Sequence, residues 1–281
     1  MRLRSRFERG ARWWVLCCLL LALPAWADAL AGIAAIKAEY AARFPTVPRD
    51  DFALGVYAID PALRAQWKEI NEFPPYEFVI DEGKKFFETP LADGSTLAQC
   101  LPGGGVGTAH TWPRVTDEGE IDTLARAINR CRREHGDKAW AYGRGPLVAV
   151  QTYLASTSRG ERGGVALPKT DAELAALEQG YAVFTQRRGK RNFACYGCHV
   201  SAAGKHLREQ TLAPLLGAVN HYPVYGLGWG AMGTLHARFA GCYEMSGATA
   251  PLAQSAEFRA LEYFLSVLAN GLPWVAPGVT R

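Results

Sequence analysis

Apolar positions recur at helical spacing in several separate stretches of the chain. Leu30, Ile33, Ile36, Tyr40 and Phe44 fall three or four apart and stop at Pro45, which predicts a helix over 30–44. A second start follows over 81–87, where Phe86 and Phe87 come soon after Gly83. Ile121, Leu124, Ile128 and Cys131 make one apolar face over 120–133. Leu147, Val150 and Leu154 make another, opened by Pro146 at a first-turn position and ended by Gly160. Thr170 and Glu173 spell a capping box ahead of Leu174, Leu177, Tyr181 and Phe184. Phe258, Leu261, Leu265 and Leu268 mark a last helix over 255–269, closed by Asn270 and Gly271. Between these, 45–76 reads as wrapping loop with at most short helices, and 101–116 and the stretch up to about 230 read as Gly- and Pro-containing loop. Residues 156–169 read as a linker. The pattern predicts a mainly α-helical chain.

The first 27 residues stand outside that pattern. Five arginines precede an apolar run from Trp13 to Leu23, and Ala25-Trp26-Ala27 follows as a small-x-small cleavage site. The run is about half of what a spanning helix needs, so residues 1–27 are expected to be a signal peptide, with an uncleaved anchor as the alternative. Removing them takes away Arg2, Arg4, Arg6, Arg9, Arg12 and Glu8 and brings the formal charge from +4 to zero. The net charge then gives no reason to expect nucleic acid or a membrane surface as partner. The expected location is the periplasm. Cys17 and Cys18 leave with the signal, and Cys100, Cys131, Cys195, Cys198 and Cys242 remain. An exporting compartment oxidises idle thiols, so each of the five needs an explanation.

Cys195-Tyr196-Gly197-Cys198-His199 supplies the first one. Two thiols one helical turn apart can form thioethers to one porphyrin, and the next histidine then faces the iron as proximal ligand. A bare C-x-x-C would equally suit a redox dithiol or half a zinc site. The added His199 and the export signal point to one covalent haem c. Cys100 and Cys131 are left as a plausible disulfide, closing a loop of about thirty residues, with a buried free thiol at Cys131 as the alternative. Cys242 is the odd one.

The two halves echo each other around these cysteines. Gly180 lies fifteen residues before Cys195, Gly83 seventeen before Cys100, and aromatics follow each glycine. Each half closes on an apolar helix ending in glycine, Val150 to Gly160 and Leu261 to Gly271. A helix before the haem and one across it are what a small cytochrome c needs. The expected organisation is two cytochrome c-like domains, 28–165 without haem and 166–281 with it, and 281 residues leave room for both. Two unrelated helical units in the same order would give a similar pattern.

Opposite His199, the candidate distal ligands are Met232, Met245, His206, His221, His236 and Cys242. Methionine would make an electron carrier of raised potential; a thiolate donates more charge to iron and leaves a sulfur able to react. Cys242 is favoured because it has no partner left. Methionine ligation, with a periplasmic monohaem electron-transfer cytochrome and no sulfur chemistry, is the alternative. A partner protein that scaffolds another cytochrome is a third.

His236-Ala-Arg238-Phe239-Ala-Gly-Cys242, after Tyr222-Pro223-x-Tyr225 and Trp229, resembles the C-terminal half of the SoxA family of sulfur-oxidation cytochromes. So do Leu261 to Leu265, Gly271-Leu272, Pro277 to Val279, Trp112-Pro113, Ile128-Asn129-x-Cys131-Arg132 and Ser158 to Gly160. The resemblance covers the chain from about residue 80 onward. It implies a haemless first domain stabilised by a disulfide, and a haem held by Cys195, Cys198 and His199. It further implies Cys242 as distal ligand, persulfide-modified and catalytic. The implied activity is that of an L-cysteine S-thiosulfotransferase, joining thiosulfate oxidatively to a cysteine of a SoxYZ-like sulfur carrier. Electrons would leave through haem to a small SoxX-like cytochrome in a heterodimer. Arg238, four residues before Cys242, would hold the anionic end of thiosulfate. The family pattern carries further arginines after Pro-x-Tyr and beyond the cysteine, where this chain has Gly226 and Ser246-Gly247-Ala248. Lys205, His206 and Arg208 are candidates to compensate. So are Arg187, Arg188, Lys190 and Arg191, a run that otherwise reads as a solvated face or docking patch.

Overall fold

Nine α-helices and three small sheets make up residues 28–280, the part of the chain that the computed structural model describes. The expected signal segment lies outside the described residues. Helix α1 (Asp28–Arg43) is followed by a 3₁₀ segment, Arg49–Ala58. Then come α2 (Pro61–Ile70), α3 (Glu77–Glu88) and the single turn α4 (Leu97–Cys100). A two-residue hairpin, β1 (Arg114–Val115) with β2 (Ile121–Asp122), leads into α5 (Leu124–Glu134) and α6 (Gly145–Thr157). The second half has α7 (Asp171–Thr185), the hairpin β3 (His206–Leu207) and β4 (Gln210–Thr211), β5 (Val224–Gly226) and β6 (Ala231–Gly233). Helices α8 (Leu235–Ser246) and α9 (Ala256–Leu268) and strand β7 (Gly278–Thr280) complete it. Strand β5 pairs antiparallel with β6 and parallel with β7, so the end of the chain closes beside the loop that precedes α8.

The boundaries follow from local chemistry. The capping box forms: the Thr170 hydroxyl accepts the Glu173 N–H, and Glu173 in turn accepts the Thr170 N–H at 2.9 Å. Thr123, Thr234 and Ser255 cap α5, α8 and α9 in the same way, accepting from the amide three residues on. The short helix within 45–76 is the ten-residue α2, started by Asp60, whose carboxylate accepts the Leu63 N–H, and by Pro61 at the first helical position. One expectation needs correction. Ile121 is not on a helix face; it lies in β2, and the helix begins after the Thr123 cap. The periodicity does not predict α8 (Leu235–Ser246), because alanine, glycine and charged residues dilute its apolar stripe.

Two hydrophobic cores result. Phe87, Leu97, Ile128, Leu147 and Leu154, with their neighbours, fill the one between α3, α5 and α6. Leu177, Phe184, Phe239, Phe258, Leu261 and Phe264 anchor the other, between α7, α8 and α9. Each contains one helix crossing that only glycine permits. A Cβ on Gly83 would stand 1.9 Å from the Ala149 carbonyl oxygen and 2.9 Å from the Tyr153 Cβ. On Gly180 it would stand 2.2 Å from the Ala260 oxygen and 2.6 Å from the Phe264 Cβ. One turn on, the same pairs bring rings together: Phe87 with Tyr153 at 5.5 Å and Phe184 with Phe264 at 5.1 Å. The correspondence extends to the capped helices, since Thr123 and Cys131 bear the same spacing to Ala149 as Thr234 and Cys242 bear to Ala260. The chain is mainly α, with two cytochrome c-like units, the first lacking the C-x-x-C-H.

The cores do not divide simply along the chain. Ala29, Ile33, Ile36 and Tyr40 of α1, with Phe52 and Ala53 after it, belong to the second core, whereas Trp274 and Ala276 near the C-terminus belong to the first. The expected linker is pinned as well. Gly163 donates to the Leu272 carbonyl and accepts from Gly271, both at 2.9 Å, and Trp274 donates to Glu161 at 2.8 Å.

Candidate functional site

Cys195, Cys198 and His199 sit on one short helical stretch whose end, Gly197–Ser201, widens into a π-turn. All three are half-buried. His199 Nδ1 lies 2.8 Å from the Ala213 carbonyl, which can only accept, so Nδ1 carries the proton and Nε2 keeps its lone pair. Burial drives the His199 pKa down to about 4, against the Ala213 hydrogen bond. The imidazole is therefore a neutral donor at ordinary pH. Two side chains of α1 hold the turn from behind. The Tyr40 hydroxyl donates to the His199 carbonyl at 2.7 Å, and Arg43 Nη1 donates to the carbonyls of Val200 and Ser201 at 2.6 and 2.7 Å.

Cys242 comes to the same place on α8. Burial pushes its thiol pKa up; Arg238 opposes this, and a charge on Cys198 adds to it. Burial likewise pushes Cys195 up to about 11, with Arg188 opposing and Cys242 adding. Cys242 is thus within electrostatic reach of both cysteines of the motif, and among the described residues these three are the free thiols, all half-buried. The other half shows the same arrangement closed: Cys100 and Cys131 form a disulfide. Because Cys131 and Cys242 hold equivalent positions on α5 and α8, the bond records that this position reaches the cysteine opposite it.

Arg238, one turn before Cys242, lies near enough to act on the ionisation of Cys242, His199, His221 and Tyr222. Among the described residues, no protein group accepts a hydrogen bond from its guanidinium or pairs with it. Such a cation beside a thiol suits an incoming anion. The other candidate ligands fare differently. His236 accepts the Gln254 N–H at Nδ1, and its Nε2 lies 2.8 Å from a Glu262 carboxylate oxygen. His221 is tied to the carbonyls of Ala53 and Gly217. His206 lies exposed in the β3–β4 hairpin with Lys205 and Arg208. Met245 points outward, 41% exposed, and Met232 sits across from Tyr225 in the sheet.

The positions of the absent arginines have a structural explanation. A Cβ at Gly226 would meet the Trp229 ring at 2.3 Å, so the indole occupies the space a side chain would take. Gly247 is the left-handed cap that ends α8. Within the basic run, Arg188 does not behave as a solvated residue. Its guanidinium lies 4.4 Å from the Tyr243 ring centre and donates to Cys195 Sγ at 3.5 Å and to the Val183 carbonyl. Arg191 donates to the Met245 carbonyl at 2.5 Å, fastening the run to the end of α8. Sequence reasoning missed Tyr40 as a member of the site. Tyr40 carried no signal beyond its place in an apolar stripe.

The donor set fits a c-type haem. It offers two thiols at thioether spacing, an imidazole whose Nδ1 is engaged so that Nε2 is the ligand atom, and a third sulfur within electrostatic reach. Comparison with known proteins agrees. A family model described as SoxA/TsdA, cytochrome c domain, matches residues 82–162, the half without the haem motif. The L-cysteine S-thiosulfotransferase subunit SoxA of Allochromatium vinosum is 46% identical over 250 residues, covering 88% of this chain and 89% of that protein. The subunit of the same name from Chlorobaculum tepidum is 42% identical over 248 residues, covering 88% and 86%. The crystal structure of SoxXA from P. pantotrophus has the same fold, with a TM-score of 0.71 at 24% identity over 77% of this chain and 84% of that one. A cytochrome c domain is a haem-binding fold, and this chain belongs to the SoxA family.

Proposed function

We propose that this protein is the catalytic cytochrome subunit of an L-cysteine S-thiosulfotransferase. The observation that carries the reading is the free, half-buried Cys242, within electrostatic reach of Cys195 and Cys198, at the position whose counterpart Cys131 is closed into a disulfide in the other half. Cys195 and Cys198 would bind one haem c covalently, with His199 Nε2 as proximal and Cys242 as distal ligand. When bound, the haem supplies one-electron steps that take electrons to a partner cytochrome, the SoxX-like subunit of a heterodimer.

The overall reaction forms a sulfur–sulfur bond between the terminal sulfur of thiosulfate and the thiol of a SoxYZ-like carrier. It releases one proton and two electrons. Cys242 sulfur, persulfide-modified in the reactive protein, is the group that accepts thiosulfate. Arg238 holds the sulfonate end, and its unpaired guanidinium supports that role. Gly226 and Gly247 leave the anion fewer guanidinium groups than the family pattern provides, so the remaining contact matters more. We place the protein in the periplasm after cleavage at Ala27. Among the described residues, no helix is long and apolar enough to cross a membrane. The haemless and haem units meet near residue 165, with α1 contributed to the haem unit.

Electron paramagnetic resonance on the oxidised, matured protein tests the ligation. A low-spin thiolate-type signal that Cys242→Ala abolishes, with transfer activity falling on the order of 10⁴-fold, is expected. An unchanged His/Met-type signal would make the chain an electron carrier. Arg238→Gln should retain the signal and raise KM for thiosulfate about tenfold, the scale of one charge-assisted hydrogen bond.

A further inference from the structure

Tyr40 belongs to α1, more than 150 residues before the haem motif, yet its hydroxyl is bonded to both segments that orient the proximal histidine. It donates to the His199 carbonyl at 2.7 Å and accepts the Leu215 N–H at 3.1 Å. Leu215 lies two residues beyond Ala213, whose carbonyl takes the His199 Nδ1 proton. One phenol thus joins the backbone of the ligand to the loop that fixes its ring. The side chain has no exposure to solvent and packs against Phe52 at 5.7 Å. Arg43, one turn on, takes the two carbonyls that follow.

We infer that α1 is a positioning strap for the proximal ligand, with Tyr40 and Arg43 as positioning residues that set the electron-donating strength of His199. The inference rests on the haem reading above. An imidazole whose Nδ1–H meets a firmly held acceptor gains imidazolate character and becomes a stronger ligand. A stronger donor stabilises the oxidised metal over the reduced one. Tyr40 keeps the acceptor firm by anchoring the 213–215 loop, and it keeps the ring in line by anchoring the His199 backbone. Removing the hydroxyl leaves the part-buried Leu215 N–H and His199 carbonyl without that partner, and both segments gain freedom.

The test uses the full matured protein as wild type, Tyr40→Phe, Arg43→Gln and Phe44→Leu. The last alters packing on Phe52, whose ring lies 6.1 Å from that of Phe44, and touches neither hydrogen bond. Haem content is first measured on denatured protein by its haemochrome spectrum. Then come spectroelectrochemical titration, paramagnetic resonance and amide exchange. In Tyr40→Phe the reduced-to-oxidised ratio at the wild-type midpoint should rise about tenfold, within the range of outer-shell effects. The g-values should shift, and the Leu215 amide should exchange faster. Arg43→Gln, at a part-exposed site, should move the ratio in the same direction by a smaller factor; Phe44→Leu should not move it. A wild-type potential in both Tyr40→Phe and Arg43→Gln would overturn the strap, as would an equal shift in Phe44→Leu. If Tyr40→Phe fails to fold, Arg43→Gln decides alone. Wild-type protein without covalent haem would overturn the haem reading itself and the strap with it. Haem present with unmoved potentials removes the strap only.

Discussion

The two halves solve one packing problem alike and one chemical problem differently. Each crosses a pair of helices at a glycine laid on a carbonyl, Gly83 on Ala149 and Gly180 on Ala260, and each stacks an aromatic pair one turn on. Each starts a capped helix at Thr123 or Thr234 and carries a cysteine on it at the same distance from the cap. In the first half that cysteine is spent on Cys100, and Cys131 is 1% exposed. In the second, Cys242, Cys195 and Cys198 stay free and half-buried, with Arg188 and Arg238 close by. The scaffold therefore brings sulfur to one place in both halves. The number of cysteines decides whether the place becomes a cross-link, as at Cys100–Cys131, or keeps its thiols free, as at Cys195, Cys198 and Cys242.

The sharpest break of the comparison is at the shared crossing. Gly83→Ala and Gly180→Ala each drive a Cβ into a backbone carbonyl, and each should cost about 3 kcal/mol, the upper part of the range for overpacking. The expected difference lies in the readout. Gly180→Ala should also reduce haem incorporation, whereas Gly83→Ala should leave the haem spectrum intact while lowering the thermal midpoint. Equal loss of haem in both would show that the halves do not fold as separable cores.

Next in size is the cross-link. Cys100 and Cys131 are 31 residues apart, and a loop of that length stabilises by about 3 kcal/mol through the unfolded chain. Cys131→Ser should lose about that much in urea denaturation, with Phe87, Ile128 and Leu147 still packed. A variant of unchanged midpoint would mean that the first core stands without the bond.

The smallest expected effect is electrostatic and confined to the first half. Hydrogen bonds from Ser95, and then from His135, hold the Asp93 carboxyl below the usual carboxylate range. A depressed folded-state pKa stabilises the protein above the unfolded value of about 4 and is lost as pH falls through the folded one. Urea midpoints from pH 7 toward 2 should therefore decline less in Asp93→Asn than in wild type. Identical slopes would remove Asp93 from the acid response.

The sequence by itself determined the parts whose physics is local. Thr170 with Glu173, Pro146 and the apolar stripes placed most helices, because caps and periodicity act within a few residues. The C-x-x-C-H pointed to a haem-binding site, because two thiols at one-turn spacing and the adjacent imidazole suit one porphyrin and its iron. The glycine-to-cysteine echo made the duplication visible, and elimination among five cysteines pointed to Cys100–Cys131, the bond the fold contains. Tertiary structure decided what depends on distance through space. It assigned α1 to the second core and Trp274 to the first, since exposed connections do not reveal which face a helix will cover. Arg188 turned inward, although a run of cations reads as solvated until a ring and a carbonyl are found for it. It filled the space beside Gly226 with Trp229. And it set Tyr40 between His199 and Leu215, a contact made by residues so far apart in sequence that no periodicity or motif connects them.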